Sequence, residues 1–212
     1  MEKRILYPGS DFGKGIGALR ITPSEFLLAY IGLIYPGKGL ETLLTALQLV
    51  NRRRSNVRLV SVVGISSNDS PDRRRYVQEI YRLPKKLGID ERVMWKTYRW
   101  DSDEASAYLR AADACILPFD IGVQMNNSTL SAAAVHGLPI IATRGRRLEQ
   151  PFVDQENIFL CPPKDPVAIA SAIETLIDKP DLQRRLHVGV LKLAQEWFSW
   201  DKAIERTIAT FS

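Results

Sequence analysis

Two short segments of this sequence carry residues suited to binding a phosphate group. The first, Gly32-Leu-Ile-Tyr-Pro-Gly37-Lys38-Gly39, joins an apolar run to an amphipathic one. Its spacing is that of a nucleotide hydrolase phosphate loop up to the last residue, where Gly39 replaces the Ser or Thr that binds magnesium. Backbone amides, a helix N-terminus and the Lys38 ammonium can hold a phosphate without that hydroxyl. A phosphate site is therefore predicted here, with a plain glycine-rich turn and a nucleotide hydrolase as alternatives.

The second segment runs from Leu117 to Thr143 and places polar residues where a strand gives way to a helix. Asp120 and Gly122 follow the strand, and the run from Asn126 to Ser128 stands where the helix begins. A helix start offers amides and the positive end of a dipole to an anion, while an acid and two side-chain amides can hydrogen-bond hydroxyl groups. These residues indicate a ligand that combines phosphate with a polyol.

Strand-sized apolar runs alternate with amphipathic stretches along most of the chain, as in Phe26 to Leu33 followed by Leu40 to Val50. Ser70-Pro71 and Asp165-Pro166 each combine a capping residue with proline at the first helical position. The alternation predicts a single α/β domain, with a parallel sheet of about six strands and helices on both faces. Such sheets bind ligands beyond the carboxyl ends of their strands, where both segments lie.

Composition excludes several classes of protein. The chain has 212 residues, of which 45% are apolar, so it can form its own core without disulfides. Cys115 and Cys161 lack the spacing of a zinc site or a disulfide framework and are predicted to be reduced core residues. The N-terminal residues MEKRILYPGS lack the apolar region of a secretion signal, so a cytoplasmic protein is expected. His136 precedes Gly137 at a predicted helix end, which favours a capping role over catalysis.

The charge balance indicates anionic ligands. Lys and Arg number 29 against 24 Asp and Glu, which gives a net charge of +5. The arginine triplets Arg52 to Arg54 and Arg73 to Arg75, with Lys85 and Lys86, are interpreted as solvated helix faces. The alternative is an anionic membrane surface. Nucleic acid is not expected as a partner, because no aromatic residues alternate with these basic runs.

Five segments in order resemble the C-terminal, nucleotide-sugar-binding domain of the group 1 (family 4) retaining GT-B glycosyltransferases. They are GLIYPGKGLETLLTAL, VRLVSVVG, AADACILPFDIGV, AAAVHGLPIIAT and NIFLCPPKDPVAIASAIETLI. The resemblance runs from about Leu6 to the end. It implies a Rossmann-like domain over residues 1–212, the C-terminal half of a GT-B fold, with residues 1–24 as an irregular lead-in and the N-terminal acceptor domain absent.

The resemblance also implies roles for individual residues. Those assigned to the donor diphosphate are Lys38, Gly37, Gly39, Asn126, Asn127 and Ser128; those assigned to the donor sugar are Asp120, Gly122 and Val123; and those assigned to the ribose or base are Ser131 and Tyr98. The family's paired glutamates are replaced here by Val123 and Ser131, and its usual arginine by Leu33. The chain therefore resembles a variant branch in which Asp120 binds sugar hydroxyls, and no catalytic residue is assigned.

By this resemblance the expected function is transfer of a hexosyl group from a nucleotide-diphosphate-sugar to a glycan or lipid-linked acceptor, with retention, in polysaccharide biosynthesis. No cofactor and no metal are expected, because helix ends and Lys38 supply positive potential. The chain alone is expected to be inactive without an N-terminal GT-B half, which another chain could supply. A cytoplasmic location is expected, with a peripheral position at the inner membrane face as the alternative. The alternatives are a non-catalytic nucleotide-sugar-binding or partner subunit and, third, the nucleotide hydrolase.

Overall fold

The computed structural model describes residues 21–64, 70–98, 103–146 and 150–199, together with positions 202, 204 and 208. Residues 1–20 of the predicted lead-in lie outside this described part. The strands are β1 Phe26–Gly32, β2 Val57–Gly64, β3 Val93–Tyr98, β4 Ala114–Leu117, β5 Ile140–Thr143 and β6 Phe159–Cys161. They form one sheet in the order β3-β2-β1-β4-β5-β6, and every pairing is parallel. The predicted six-stranded parallel sheet is confirmed.

Helices connect the strands from β1 to β5, and two further helices follow β6. They are α1 Leu40–Arg53, α2 Pro71–Leu87, α3 Asp103–Ala111, α4 Ser128–Val135, α5 Pro166–Asp178 and α6 Pro180–Leu193, with a 3-10 turn at Asp90–Arg92 and a π-helical turn at Ala194–Phe198. Two helix starts follow the predicted capping chemistry. The Ser70 hydroxyl accepts from the Arg73 amide at 3.3 Å, and the Asp165 carboxylate accepts from the amides of Val167 and Ala168.

The two faces of the sheet are both covered, as a parallel sheet requires. Alternate residues of β1 point to opposite faces: Leu27 and Ala29 belong to one apolar cluster, and Leu28 and Tyr30 to the other. Residues of α3 and α4 fill the first cluster, and residues of α1, α2 and α5 fill the second. Helix α6 contributes to both clusters.

Both cysteines are free and buried, as predicted. Burial raises the pKa of the Cys115 and Cys161 thiols to about 12 in each case, so neither is a thiolate near neutral pH. Among the helices of the described ranges, none combines the length and apolar character needed to cross a membrane.

Candidate functional site

The two predicted segments lie side by side at the centre of the sheet, where the strand order reverses. Strands β1 and β4 are neighbours, but α1 and α4, which follow them, pack on opposite faces. Loops that leave neighbouring parallel strands toward opposite faces open a crevice at the carboxyl edge of the sheet. The loops 33–39 and 118–127 therefore form the walls of a ligand cleft.

Backbone contacts hold the two loops together. The Asp120 amide donates a hydrogen bond to the Gly37 carbonyl oxygen at 3.0 Å. Gly39 has a φ of +70°, and a Cβ at this position would lie 1.8 Å from the Pro118 carbonyl oxygen. Only glycine permits both this conformation and this approach, so Gly39 sets the spacing between the loops.

The loop after β4 is also tied to β5. The Val123 amide donates to the Thr143 carbonyl oxygen at 2.8 Å, and the Thr143 hydroxyl donates to the Phe119 carbonyl oxygen at 2.5 Å. The Gly122 amide donates to the same Phe119 oxygen at 3.1 Å. Because these amides have protein acceptors, Gly122 and Val123 do not present an N–H to a ligand in this conformation. Their assignment to the donor sugar stays a prediction.

Between the loops lies an open cleft of about 490 Å³. Five of the six residues predicted to hold a diphosphate line it, namely Gly37, Lys38, Asn126, Asn127 and Ser128. The sixth, Gly39, is buried at the N-cap of α1. No carboxylate is among the described residues that line the cleft. Beside apolar residues such as Phe119 and Ile121, the lining therefore offers a cation, amides and hydroxyls, which is a chemistry suited to an anion.

The N-terminus of α4 opens into this cleft. Its N-cap, Asn127, uses the side-chain oxygen to accept from the Gln124 amide at 2.7 Å and makes no side-chain bond to the helix. The first-turn amides of Ser128 and Thr129 have no intrahelical acceptor, as at every helix start. The Thr129 hydroxyl oxygen is buried and finds no hydrogen-bond partner within the described ranges. An anion placed here would meet donors and the positive end of the helix dipole.

The Lys38 ammonium lies between two aromatic rings of the cleft wall. Its Nζ is 4.9 Å from the centroid of the Tyr35 ring and 4.4 Å from that of Phe119. In the described part of the chain Lys38 forms no ion pair with a carboxylate. Its charge therefore adds to the positive potential of the helix starts.

Arg73 is a site-proximal residue that the sequence did not reveal. Its Nε donates to the Ile34 carbonyl oxygen at 3.3 Å, and its guanidinium carbon lies 5.7 Å from the centroid of the Tyr35 ring. The interpretation of the triplet Arg73 to Arg75 as a solvated face is wrong for its first member. Its position could have indicated this. Arg73 lies in the first turn of α2, which follows the end of β2, and β2 neighbours β1 in the sheet.

Asp120 follows β4 as expected, but its carboxylate is not part of the cleft lining. It forms an ion pair with Lys164, from the loop after β6, with 3.4 Å between Nζ and Oδ2. The role of Asp120 in sugar binding stays a prediction, and it would require Lys164 to share the carboxylate with a ligand.

Of the two residues assigned to the ribose or base, Ser131 is not among the residues that line the cleft. The Ser131 hydroxyl donates to the Ser128 carbonyl oxygen at 2.8 Å within α4. Tyr98 ends β3, two strands from β1, and its side chain lies outside the described part of the structure. Their roles stay predictions.

His136 has the capping role that the sequence indicated. It is the C-cap residue of α4, and its Nδ1 lies 2.7 Å from the Ala132 carbonyl oxygen, which can only accept. Nδ1 therefore carries a hydrogen, and Nε2, 2.5 Å from the Ser106 hydroxyl, can accept from it. Within the described ranges there is no cluster of three or more His, Cys, Asp or Glu side chains that could hold a metal ion.

Comparison with known proteins gives a family match over most of the chain. A family model described as "Glycosyl transferases group 1" matches residues 25–179. The D-inositol 3-phosphate glycosyltransferase of Thermomonospora curvata is 25% identical over 198 residues, covering 92% of this chain and 44% of that protein. The protein of the same name from Corynebacterium diphtheriae is 28% identical over 184 residues, covering 85% and 40%. The chain thus spans less than half the length of these relatives.

Solved structures support the fold. The C-terminal domain of a group 1 glycosyl transferase (LpcC) from Francisella tularensis has a TM-score of 0.73 at 19% identity, covering 94% of this chain and 99% of that one. Anabaena HepE in complex with UDP and glucose has a TM-score of 0.79 at 19% identity, covering 95% and 51%. The domain is thus the Rossmann-like C-terminal half of a GT-B fold, as the sequence predicted.

Proposed function

The chain belongs to the group 1 glycosyl transferases, and on that premise we propose that its central cleft binds the diphosphate and sugar of a nucleotide-sugar donor. The proposed reaction is transfer of the hexosyl group, with retention, to a glycan or lipid-linked acceptor. HepE, which shares the fold, is described in complexes with UDP and with UDP-glucose, so UDP is the first nucleotide to test.

The observation that carries the proposal is that a lysine and a helix start meet in one cleft whose described lining includes no carboxylate. Lys38 immediately precedes the start of α1, and the start of α4 lines the same cleft. The start of α4 carries roughly half a positive charge and Lys38 a full one, so an anion in the cleft is attracted by both. A diphosphate is an anion of this kind.

The proposed roles follow from position. The Lys38 ammonium and the first-turn amides of α4 would bind the diphosphate, and the side chains of Asn126 and Asn127 lie beside them for phosphate or sugar oxygens. Asp120 would reach sugar hydroxyls after exchanging part of its contact with Lys164. Ser131 and Tyr98 are proposed for the ribose or base. Binding is proposed to need no metal, because the helix starts and Lys38 provide the positive charge.

A second candidate is a nucleotide-sugar-binding subunit that does not catalyse transfer by itself. It is favoured by the cleft lining, in which the described residues include no carboxylate. The positions expected for the family's glutamates also offer none: Val123 is 3% exposed within the core, and Ser131 bonds its own helix. In this candidate, a second GT-B half would bring the acceptor and the remaining reactive groups.

Calorimetric titration with UDP, and then with UDP-, GDP- and ADP-hexoses, tests donor binding. A hydrogen bond to a charged group contributes about 1.5 to 3 kcal/mol, so Lys38→Ala should weaken UDP binding about ten- to a hundredfold. The matched control is Lys85→Ala with Lys86→Ala, because both side chains are exposed on α2. If the control loses as much affinity as Lys38→Ala, UDP is held by general basic charge and the cleft assignment fails.

Two further arms separate the candidates. Titration with EDTA present should give the same UDP affinity, whereas a large loss on chelation would favour a metal-dependent nucleotide hydrolase. Donor turnover onto lipid and glycan acceptors is then measured with the chain alone. Binding without transfer is expected of an isolated donor half and of the non-catalytic subunit, and transfer by the chain alone would exclude both.

A further inference from the structure

The Lys38 ammonium has an aromatic ring on each of two sides. It lies within cation–π distance of both Tyr35 and Phe119, at 4.9 and 4.4 Å from the ring centroids. Lys164 and Lys192, by contrast, lie against carboxylates, at 3.4 Å from Asp120 and 3.8 Å from Glu196. A carboxylate neutralises the cation that it orders, whereas an aromatic ring orders a cation and leaves its full charge in place.

The Phe119 ring is a fixed wall. The side chain is 3% exposed and belongs to the apolar cluster on one face of the sheet. Its carbonyl oxygen accepts from the Thr143 hydroxyl and from the Gly122 amide, so the backbone is tied to β5 and to the following turn. One side of the Lys38 site is therefore set by the core of the domain.

The Tyr35 ring is the second wall, and Arg73 supports it. The Lys38 amide donates to the Tyr35 carbonyl oxygen at 3.2 Å, which closes a turn that brings ring and ammonium together. Arg73 donates to the neighbouring Ile34 carbonyl oxygen and also lies near the Tyr35 ring. The loop that carries Tyr35 is thereby fastened to α2 as well as to β1.

A lysine side chain has four rotatable bonds, and ordering it costs rotamer entropy. If the rings order the ammonium in the free protein, that cost is no longer part of ligand binding. The ammonium has three N–H donors. The two rings do not use all of them, and Lys38 also lines the cleft, so an N–H group remains to donate to a ligand there. The rings thus keep the Lys38 ammonium charged and ordered, so that it can donate hydrogen bonds to a ligand.

We propose that Tyr35 and Phe119 are positioning residues that hold the Lys38 ammonium ready for the diphosphate of the donor, an inference that rests on the proposed function. Neither ring needs to touch the ligand. Their effect on affinity acts through Lys38, and this distinguishes them from residues that only shape the loop.

A double-mutant cycle tests this, with UDP as the probe and calorimetry as the readout. Tyr35→Leu should raise the Kd for UDP about three- to tenfold, the size of a cation–π contact converted to affinity. Tyr35→Phe keeps the ring and should restore the affinity to within about twofold, because the hydroxyl is not involved. In a Lys38→Met background, Tyr35→Leu should have almost no further effect, since the group it positions is gone.

Tyr81→Leu is the matched control, because Tyr81 is a partly exposed tyrosine that packs against Trp95 and not in the cleft. Thermal melts accompany each variant, so that a loss of folding is not read as a loss of binding. Equal losses for Tyr35→Leu with and without Lys38 would show that Tyr35 only shapes the loop. Unchanged UDP binding in Tyr35→Leu would show that the ring does not prepare Lys38 for the ligand, and tighter binding would show that the ring competes with the ligand. Any of these results overturns the inference.

The same data separate this inference from the proposed function. If the wild-type chain does not bind UDP or any donor, or if Lys38→Met has no effect, the proposed function fails and the inference fails with it. If Lys38→Met weakens UDP binding and the cycle shows no coupling to Tyr35, only the inference fails.

Discussion

Helix α1 carries basic residues at both of its ends, and the two ends treat them differently. At the N-terminus, Lys38 lies between aromatic rings and precedes an N-cap glycine that makes no side-chain capping bond. At the C-terminus, Arg53 and Arg54 pair with Glu174 and Asp178 of α5, at 3.0 and 2.5 Å. Glu41 lies in the first turn of α1, but among the described residues Lys38 forms no ion pair, whereas Arg53 and Arg54 do.

The helix dipole makes this difference consequential. Cations near a helix C-terminus are stabilised by its negative end, so Arg53 and Arg54 contribute to packing of α1 on α5. A cation near the N-terminus adds to the positive end, which disfavours the folded state unless an anion is bound. Residue type alone therefore does not distinguish a lysine or arginine that binds a ligand from one that stabilises the fold. The position of the residue relative to helix ends and carboxylates does distinguish them.

Gly39→Ala changes the N-terminal end of α1 and should have the largest effect on stability. The new Cβ would lie 1.8 Å from the Pro118 carbonyl oxygen, at a φ of +70° that alanine adopts only with strain. The loops of β1 and β4 must separate, so we expect a loss of about 2 kcal/mol or more in the free energy of unfolding, together with loss of UDP binding. Urea denaturation and calorimetry measure the two quantities.

Gly37→Ala is the control for this substitution. Gly37 also has a positive φ, of +91°, but nothing lies within 4 Å of a Cβ built there. Only the backbone strain should then appear, at about 1 kcal/mol. If the two variants are equally stable, contact between the loops is not what Gly39 provides.

Much of the frame that positions the cleft could be predicted from the sequence. Ser70-Pro71 and Asp165-Pro166 encode helix starts locally, and the structure confirms the capping bonds at both. Parallel strands are buried on both faces, so they stand in the sequence as short continuous apolar runs. The number of these runs indicates a sheet of about six strands. Both phosphate segments follow neighbouring central strands, which is why most of the predicted diphosphate residues share one cleft.

The orientation of individual side chains could not be predicted in this way. Asp120 lies against Lys164, although 44 positions separate them, because both follow strands of the same sheet edge. Arg73 reaches the Tyr35 ring from a helix that the sequence presents only as a basic amphipathic stretch. The amides of Gly122 and Val123 are used within the protein, which depends on how β5 lies beside β4. These contacts are tertiary, and no local pattern encodes them.

The second prediction concerns the C-terminal end of α1. Arg53→Glu would place a carboxylate against Glu174, whose side chain is 19% exposed, and near the negative end of the helix. Loss of an exposed pair and gain of a like-charge contact should together lower the free energy of unfolding by about 1 kcal/mol. UDP affinity should not change, because the substitution lies at the far end of α1. A large loss of UDP binding would mean that the two ends are coupled.

Lys38→Glu has the smallest expected effect on stability, and it tests most directly whether the two ends of α1 differ in electrostatic potential. Lys38→Glu replaces a cation that has no ion-pair partner among the described residues with an anion at a helix start, which should raise the free energy of unfolding by about 0.3 to 1 kcal/mol. Repulsion from Glu41, in the first turn of α1, reduces this gain. Loss of the ring contacts reduces this gain, since an exposed cation–π contact contributes roughly 0.5 to 1 kcal/mol. Lys38→Met removes the charge and the cation–π contacts together, so the difference in stability between the two variants isolates the electrostatic part.

UDP binding should be undetectable in Lys38→Glu, because the carboxylate would repel the diphosphate. If Lys38→Glu unfolds at lower urea than Lys38→Met, the N-terminal end of α1 does not carry excess positive potential, and the contrast with Arg53 and Arg54 does not explain where the ligand binds.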